Sequence, residues 1–315
     1  MILTLTPNPS LDRTIELGGP LRRGEVQRAV TAHQEPGGKG VNIARALAAS
    51  AVDCLALLPG DPEDAVLLAL AASGIPHLGL PIGAALRSNV AITEADGTTT
   101  KVNEPGPVLS ADQQAQLLAL TVEKADGAAW LVLAGSLPPG VPADFYARVT
   151  SAVRTRYGAA APKVAVDSSG GPLAEAISAR PDLIKPNAEE LSELTGGPDA
   201  RALEEDPRLA AKAAAGLVVS GVGAVLATLG AKGAVLVTPA GSWLAQSPKI
   251  EAKSTVGAGD SALAGYLLSQ LAGATHQQCL QQAAAHGAAA ASLPGSTVPA
   301  MSQTHPEAVI VTALA

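Results

Sequence analysis

The sequence predicts an α/β protein built on a mostly parallel β-sheet covered by helices, with a small second sheet protruding from it. Three observations carry that reading. Short apolar, β-prone runs alternate along the 315 residues with longer Ala-rich stretches at helical spacing, the pattern of strands joined by crossover helices. Several of those runs end on Gly, Asp, Asn or Ser, as strands do where they open into ligand-binding loops. One segment, residues 88–103, breaks the alternation and reads as two polar-apolar strands around Asp96-Gly97, a hairpin signal.

Taken in order, the predicted core strands are residues 2–6, 52–58, 130–134, 164–167, 183–185, 224–228 and 234–237. The polar, β-like residues 14–32 join the 88–103 hairpin as a second sheet. Such a sheet serves either as a mobile cover that excludes water or as a surface hairpin without function. No Pro/Ser-rich linker, charge block or internal repeat divides the chain, so residues 1–315 are expected to form one domain, with a lid from about 13–34 and 87–105 inserted into it.

Composition excludes several classes of protein. Hydrophobic residues are 47% and charged residues 16%, which rules out a dominantly disordered chain. Aromatic residues are only 2%, so few platforms exist for stacking the bases of a single strand. Net charge is −7 and the 21 Lys and Arg residues are scattered, leaving no footprint for nucleic acid or an anionic membrane surface. An anionic ligand must then be held by a few placed cations and backbone amides. Cys54 and Cys279 stand alone, and the five His residues show no metal-ligand clustering. The first residues, Met1-Ile2-Leu3-Thr4-Leu5-Thr6-Pro7, read directly as a strand, so a reducing cytoplasmic location is expected, with no membrane partner.

Three segments carry chemistry. Asp260 follows Gly257-Ala258-Gly259 and precedes a helix-compatible run, which puts its carboxylate in the first turn of a helix. Small residues there let backbone N–H groups approach a phosphate, and a carboxylate beside that anion site can take the proton of an attacking hydroxyl. The same residues also read as a simple helix start. Pro36-Gly37-Gly38-Lys39-Gly40-Val41-Asn42 opens an Ala-rich helix with bare amides, one cation and an Asn amide; a flexible connection with a solvated Lys explains it equally, and the Walker A spacing is absent. Lys185-Pro186-Asn187-Ala188-Glu189-Glu190 passes from a strand into a helix, where Asn187 and Glu190 suit either Mg²⁺ water ligation or a capping box, and spacing alone favours the box. Asp12 near the first strand, and Gly230 with Gly233 after Thr228, are weaker signals that turns also explain.

Together these segments resemble the PfkB, or ribokinase-like, family of carbohydrate kinases. Gly37-Gly38-Lys39-Gly40-Val41-Asn42-Ile43-Ala44 is similar to the family's N-terminal signature and Ser254-Thr255-Val256-Gly257-Ala258-Gly259-Asp260-Ser261 to its C-terminal one, with Lys185-Pro186-Asn187-x-x-Glu190 between them. The similarity runs from Ile2 to about Pro299. The resemblance implies a three-layer α/β/α fold with a β-sheet lid, and Asp260 as base beside an anion hole made by Gly257, Ala258 and Gly259. It also implies that Asp12, Gly38, Lys39 and Asn42 hold a sugar, whose existing phosphate meets Lys39, Arg87 and Asn103. Lys185, Asn187, Thr228, Gly230 and Gly233 would line an ATP site, with Asn187 and Glu190 ordering Mg²⁺ through water. Ser254 stands where ribokinases usually have Asp, so a monovalent-cation site is in doubt.

Thr4-Leu5-Thr6-Pro7-Asn8-Pro9-Ser10-Leu11-Asp12, Gly135-Ser136-Leu137-Pro138-Pro139-Gly140-Val141 and Asp167-Ser168-Ser169-Gly170 are similar to segments of the family's phosphosugar kinases. Val102-Asn103-Glu104-Pro105-Gly106-Pro107 looks most like the members acting on fructose 1-phosphate, and Glu35-Pro36-Gly37-Gly38 like those acting on fructose 6-phosphate; tagatose 6-phosphate is a third substrate in play. A non-catalytic sensor on the same fold is the alternative of another class. A dehydrogenase is disfavoured because Thr6-Pro7-Asn8-Pro9, not a Gly-x-Gly-x-x-Gly run, follows the first strand. A homodimer through exposed lid strands is expected.

Overall fold

Along the first strand the side chains alternate between two cores: Ile2 packs in one, Leu3 and Leu5 in the other, and all residues from 2 to 5 are buried. Burial on both faces is what a parallel sheet sandwiched by helices requires. The computed structural model describes residues 1–314. Its strands are β1 (Ile2–Leu5), β2 (Ser10–Leu17), β3 (Ala29–Gly37), β4 (Cys54–Pro59), β5 (His77–Leu80), β6 (Arg87–Thr93), β7 (Thr99–Asn103), β8 (Trp130–Ala134), β9 (Lys163–Asp167), β10 (Leu183–Ile184), β11 (Val225–Thr228), β12 (Ala234–Thr238), β13 (Gly241–Gln246) and β14 (Ile310–Leu314). Its α-helices are α1 (Lys39–Ala49), α2 (Ala65–Ala72), α3 (Ala111–Lys124), α4 (Phe145–Tyr157), α5 (Gly170–Ile177), α6 (Ala188–Thr195), α7 (Ala200–Glu205), α8 (Pro207–Val219), α9 (Ala258–Leu271) and α10 (His276–Ala291).

The main sheet runs β14-β13-β12-β11-β10-β9-β8-β1-β4-β5. It is parallel from β11 to β5, and β12, β13 and β14 extend it in antiparallel fashion. Side chains of α1, α2, α9 and α10 fill the core on one face, and those of α3 to α8 fill the core on the other. This is the ribokinase-like three-layer fold. Because β1 lies between β8 and β4, the strand order reverses there, and the crevice beyond the carboxyl ends of β1 and β8 is where such sheets bind ligands. Asn8, just past β1, donates to the Ser136 hydroxyl, just past β8, at 3.2 Å across that crevice.

The second sheet, ordered β3-β2-β6-β7, is the lid. Asp12 on β2 stands opposite Glu35 and Asn89, and Asn89 on β6 stands opposite Asn103 on β7, so these side chains share one face. The lid strands reach Ser10 at one end and Gly37 at the other, further than 13–34, because β3 continues pairing up to the first residues of α1.

All seven strands expected in the main sheet are present, whereas β5, β13 and β14 were not anticipated. The half-buried β5 sits at the sheet edge, and β14, mostly exposed, lacks the inward-outward alternation that marks a strand. Among the described residues no helix is long and apolar enough to cross a membrane.

Candidate active site

Asp260 occupies the first turn of α9 and is buried along with every residue from Asp260 to Ser269. A helix buried over ten successive residues is enclosed on every side, and α9 packs between α1 and α10. That enclosure fixes where the carboxylate points. Gly257, at φ 74°, supplies the left-handed turn that starts the helix, and no side chain caps it. The leading backbone amides are thus available to an anion, which also meets the positive end of the helix dipole.

Around Asp260 the ends of four other elements converge. From α1, Asn42 donates its amide Nδ2 to Asp260 Oδ2 at 2.9 Å. Lys39, at the start of the same helix, places its ammonium 2.6 Å from Asp167 Oδ1 and 3.5 Å from Glu190 Oε1. Asp167, the last residue of β9 and fully buried, also faces the ammonium of Lys185 at 3.1 Å. Lys185 follows β10 and reaches toward α9: a methyl group at Gly259 would lie 3.1 Å from its Nζ. Two lysines and three carboxylates therefore surround the bare helix end.

The charges tune one another. Burial raises the Asp260 carboxyl, the negative charge of Asp167 raises it further, and Lys39, the Asn42 hydrogen bond and Lys185 pull it back, leaving it pushed up to about 6. Burial also opposes ionisation of Asp167, but Lys185 and Lys39 outweigh it and hold that carboxyl below its ordinary range. For Lys39 burial favours the neutral amine, yet Asp167, Glu190 and Asp260 together hold it more firmly protonated than usual. The result is an ionised Asp167 and, near neutral pH, an Asp260 able to accept a proton and return it.

The lid side is assembled from polar side chains on its inner face. Asp12 Oδ1 accepts from the Ser10 hydroxyl at 2.6 Å and from the Asn89 amide at 2.9 Å. A Cβ at Gly37 would fall 2.2 Å from the Asp12 carboxylate, so only glycine lets this acid sit at the foot of the lid. Gly38 (φ 107°) turns the chain from lid into α1 beside Thr6. The Arg87 guanidinium donates to the carbonyls of Glu104 and Asn8 at 3.0 Å each, and burial, partly offset by Asp12 and Glu104, makes its charge less favourable than usual. A cleft of about 570 Å³ separates this face from the loop before α9, with Asp12, Asn89 and Asn103 on one wall and Ser254, Thr255 and Val256 on the other.

Most of the residues expected at the site lie in two groups. Asp260, the Gly257–Gly259 turn, Asn42, Lys39, Lys185 and Glu190 come together, and Asp12 and Asn103 share the cleft wall. Lys39 and Arg87, expected to meet on one phosphate, have different partners: Lys39 the buried carboxylates, Arg87 the backbone carbonyls of Glu104 and Asn8. Asn187 and Glu190 form the capping box that spacing favoured, each bonding the other's backbone N–H at 2.8 Å, which leaves Glu190 Oε1 facing Lys39. Thr228 bridges to Asn187 across the sheet. Gly233 is small because a Cβ there would fall 1.9 Å from the Ala245 carbonyl oxygen, and Gly230 shares its tight turn between β11 and β12. The hub that sequence reasoning missed is Asp167. In the sequence it stood at the carboxyl end of a predicted strand and opened the Asp167-Ser168-Ser169-Gly170 segment that resembles the family's phosphosugar kinases, with no role attached to it.

The chain is 38% identical over 277 residues to the 1-phosphofructokinase of Rhodobacter capsulatus, spanning 84% of this chain and 82% of that protein. It is 34% identical to the 1-phosphofructokinase of Haloferax volcanii over 99% of both. The crystal structure of phosphofructokinase-2 from Escherichia coli in complex with fructose-6-phosphate matches with a TM-score of 0.85 at 30% identity, covering 96% of each chain. The family model described as pfkB family carbohydrate kinase spans residues 6–303, and with two signature segments folded around one buried carboxylate the chain belongs to that family of ATP-dependent sugar kinases.

Proposed function

We propose that the chain transfers the γ-phosphoryl group of ATP to the 6-hydroxyl of fructose 1-phosphate, giving fructose 1,6-bisphosphate and ADP. The observation that carries the chemistry is Asp260, buried in the first turn of an uncapped helix and with its carboxyl pushed up to about 6. Such a group is ionised at neutral pH and takes the proton as the hydroxyl oxygen bonds to phosphorus and ADP departs. The amides of Gly257, Ala258 and Gly259 receive the charge that spreads over the transferred group, and Lys39 and Lys185 flank it.

Asp12, Gly38 and Asn42 hold the sugar, and Arg87 and Asn103 hold its phosphate under the lid. Buried polar atoms without a partner, Arg87 Nε and Asn89 Oδ1, support a polar ligand there. The nucleotide lies against Lys185, Thr228, Gly230 and Gly233. Mg²⁺ suits the oxygen donors of Asn187 and Glu190 acting through water, and when bound it neutralises phosphate charge. The whole chain acts as one domain carrying the lid, in the cytoplasm, where Cys54 and Cys279 remain thiols. The open lid edges β3 and β7 support a homodimer, which light scattering tests.

The relatives named 1-phosphofructokinase favour fructose 1-phosphate, and the Escherichia coli enzyme solved with fructose-6-phosphate favours a second reading, phosphorylation of that sugar. Coupled assays of ADP release with fructose 1-phosphate, fructose 6-phosphate and tagatose 6-phosphate separate the two. The highest kcat/KM is expected with fructose 1-phosphate; a higher value with either rival would replace this assignment.

A further inference from the structure

We propose that Arg45 is a positioning residue for the base: it holds the Asn42 amide in the one orientation that donates to Asp260, and couples that orientation to the end of lid strand β3. The inference rests on Asp260 being the base. Arg45 and Asn42 lie three residues apart on α1, and Arg45 Nη1 is 3.3 Å from Asn42 Oδ1. A guanidinium has donors and no acceptor, so it selects the amide oxygen. The other end of the amide is then the NH₂ group, which sits 2.9 Å from Asp260 Oδ2. Both neighbours thus demand the same orientation.

Arg45 is itself held on several sides. Its side chain is 11% exposed, and Nη1 also lies 3.3 Å from the carbonyls of Pro36 and Ser296. Nη2 is 3.4 Å from Glu35 Oε2, which accepts from the Ser296 hydroxyl as well. Glu35 and Pro36 are the closing residues of β3, and Ser296 lines the cleft. One guanidinium therefore joins the lid, the cleft rim and the amide that touches the base.

Without Arg45 the Asn42 amide is free to turn its oxygen toward Asp260. A carbonyl oxygen against a carboxyl favours the protonated acid, so less base is present near neutral pH. The other charged groups around Asp260 stay in place: Lys39 from α1, Asp167 from the end of β9, Lys185 after β10, and Glu190 behind Lys39. From α10, the titratable groups facing α9 are His286, which packs beside Gly265, and Cys279, which lies close enough to Tyr266 to raise its hydroxyl.

The test compares wild type, R45M, N42A, the R45M/N42A double variant and D260N, measuring kcat, both KM values and the pH profile with the sugar phosphate turned over best. R45M is expected to lose about tenfold in kcat and to shift the acid limb of kcat/KM to higher pH, with KM for ATP unchanged. The double variant should be no slower than N42A alone, because Arg45 acts through Asn42. An unmoved acid limb, or losses that multiply in the double variant, overturns the inference. Should R45M fail to fold, R45K retains a single donor nitrogen in place of the guanidinium fork and is expected to show the same upward shift in smaller measure; an acid limb identical to wild type would overturn the proposal there too. Near-normal turnover in D260N would instead remove the base itself, so the two failures are distinguishable.

Discussion

The two ends of the cleft are built on opposite physical terms. The base end is made of helix starts and strand ends that are buried for packing reasons: α9 is enclosed on all sides, β9 lies mid-sheet, and Asp167 and Asp260 are almost fully removed from water. The lid end is a four-stranded sheet whose outer strand β7 is exposed at every residue. Burial gives the first end strong, fixed electrostatics, since charges in low dielectric shift one another's protonation. Exposure gives the second end polar contacts that a ligand can complete, which suits recognition. Turnover should therefore depend on the first region and substrate affinity on the second.

The largest effect that sharpens this division is expected from Asp260→Asn. Its kcat should fall by about 10³-fold with nucleotide affinity nearly unchanged, checked by steady-state kinetics and calorimetric ATP binding. The same variant should be more stable than wild type above pH 6. Because the folded carboxyl is raised from 3.8 to about 6, the native state binds more protons than the unfolded chain in that window, so stability falls as pH rises through it and stays lower above. Thermal melts of both proteins at pH 4 and pH 8 measure the difference, and equal melting shifts at both would contradict the raised carboxyl.

Arg87→Met probes the lid. KM for the sugar phosphate should rise about 10- to 100-fold with kcat largely kept, as expected for losing a charged hydrogen-bond donor. A fall in kcat with KM unchanged would break the comparison. Smaller still is the pH effect on the intact protein: kcat/KM should decline about tenfold per pH unit below the Asp260 carboxyl's value of about 6, and a flat profile down to pH 5 would rule out this group as base. The mildest change in activity should come from Gly265→Ala. A Cβ at that position falls 2.7 Å from both the Gln282 carbonyl oxygen and His286 Nδ1, so α9 and α10 must part. Unfolding measurements should show a loss of about 1–3 kcal/mol, with both KM values near wild type.

How much of this was visible beforehand depends on whether a feature is local. The core strands were legible because parallel strands buried on both faces are continuous apolar runs, and the lid hairpin because Asp96-Gly97 makes a specific turn. Asp260 was legible for the same reason: a glycine run, an acid and a helix start all lie within a few residues. The edge strand β14 was not, since its partner β13 lies more than sixty residues away and its own residues are mostly exposed. The capping box of Asn187 and Glu190 was favoured by spacing, but that it leaves Glu190 Oε1 facing Lys39 was not visible, because Lys39 lies on another helix far away in the chain.

By itself, then, the sequence determined the alternation of strands and helices, the glycine turn before Asp260, and the polar inner face of the lid, all properties of residues close together in the chain. Only the tertiary structure decided that Asp167 unites Lys39 with Lys185, that Lys39 faces carboxylates and not Arg87, and that Arg45 reaches from α1 to Ser296. Those partners are separated by up to 251 residues, as in the Arg45–Ser296 contact. Charge–charge coupling depends on distance in space and on the water excluded between groups, and neither quantity is defined until the chain has folded.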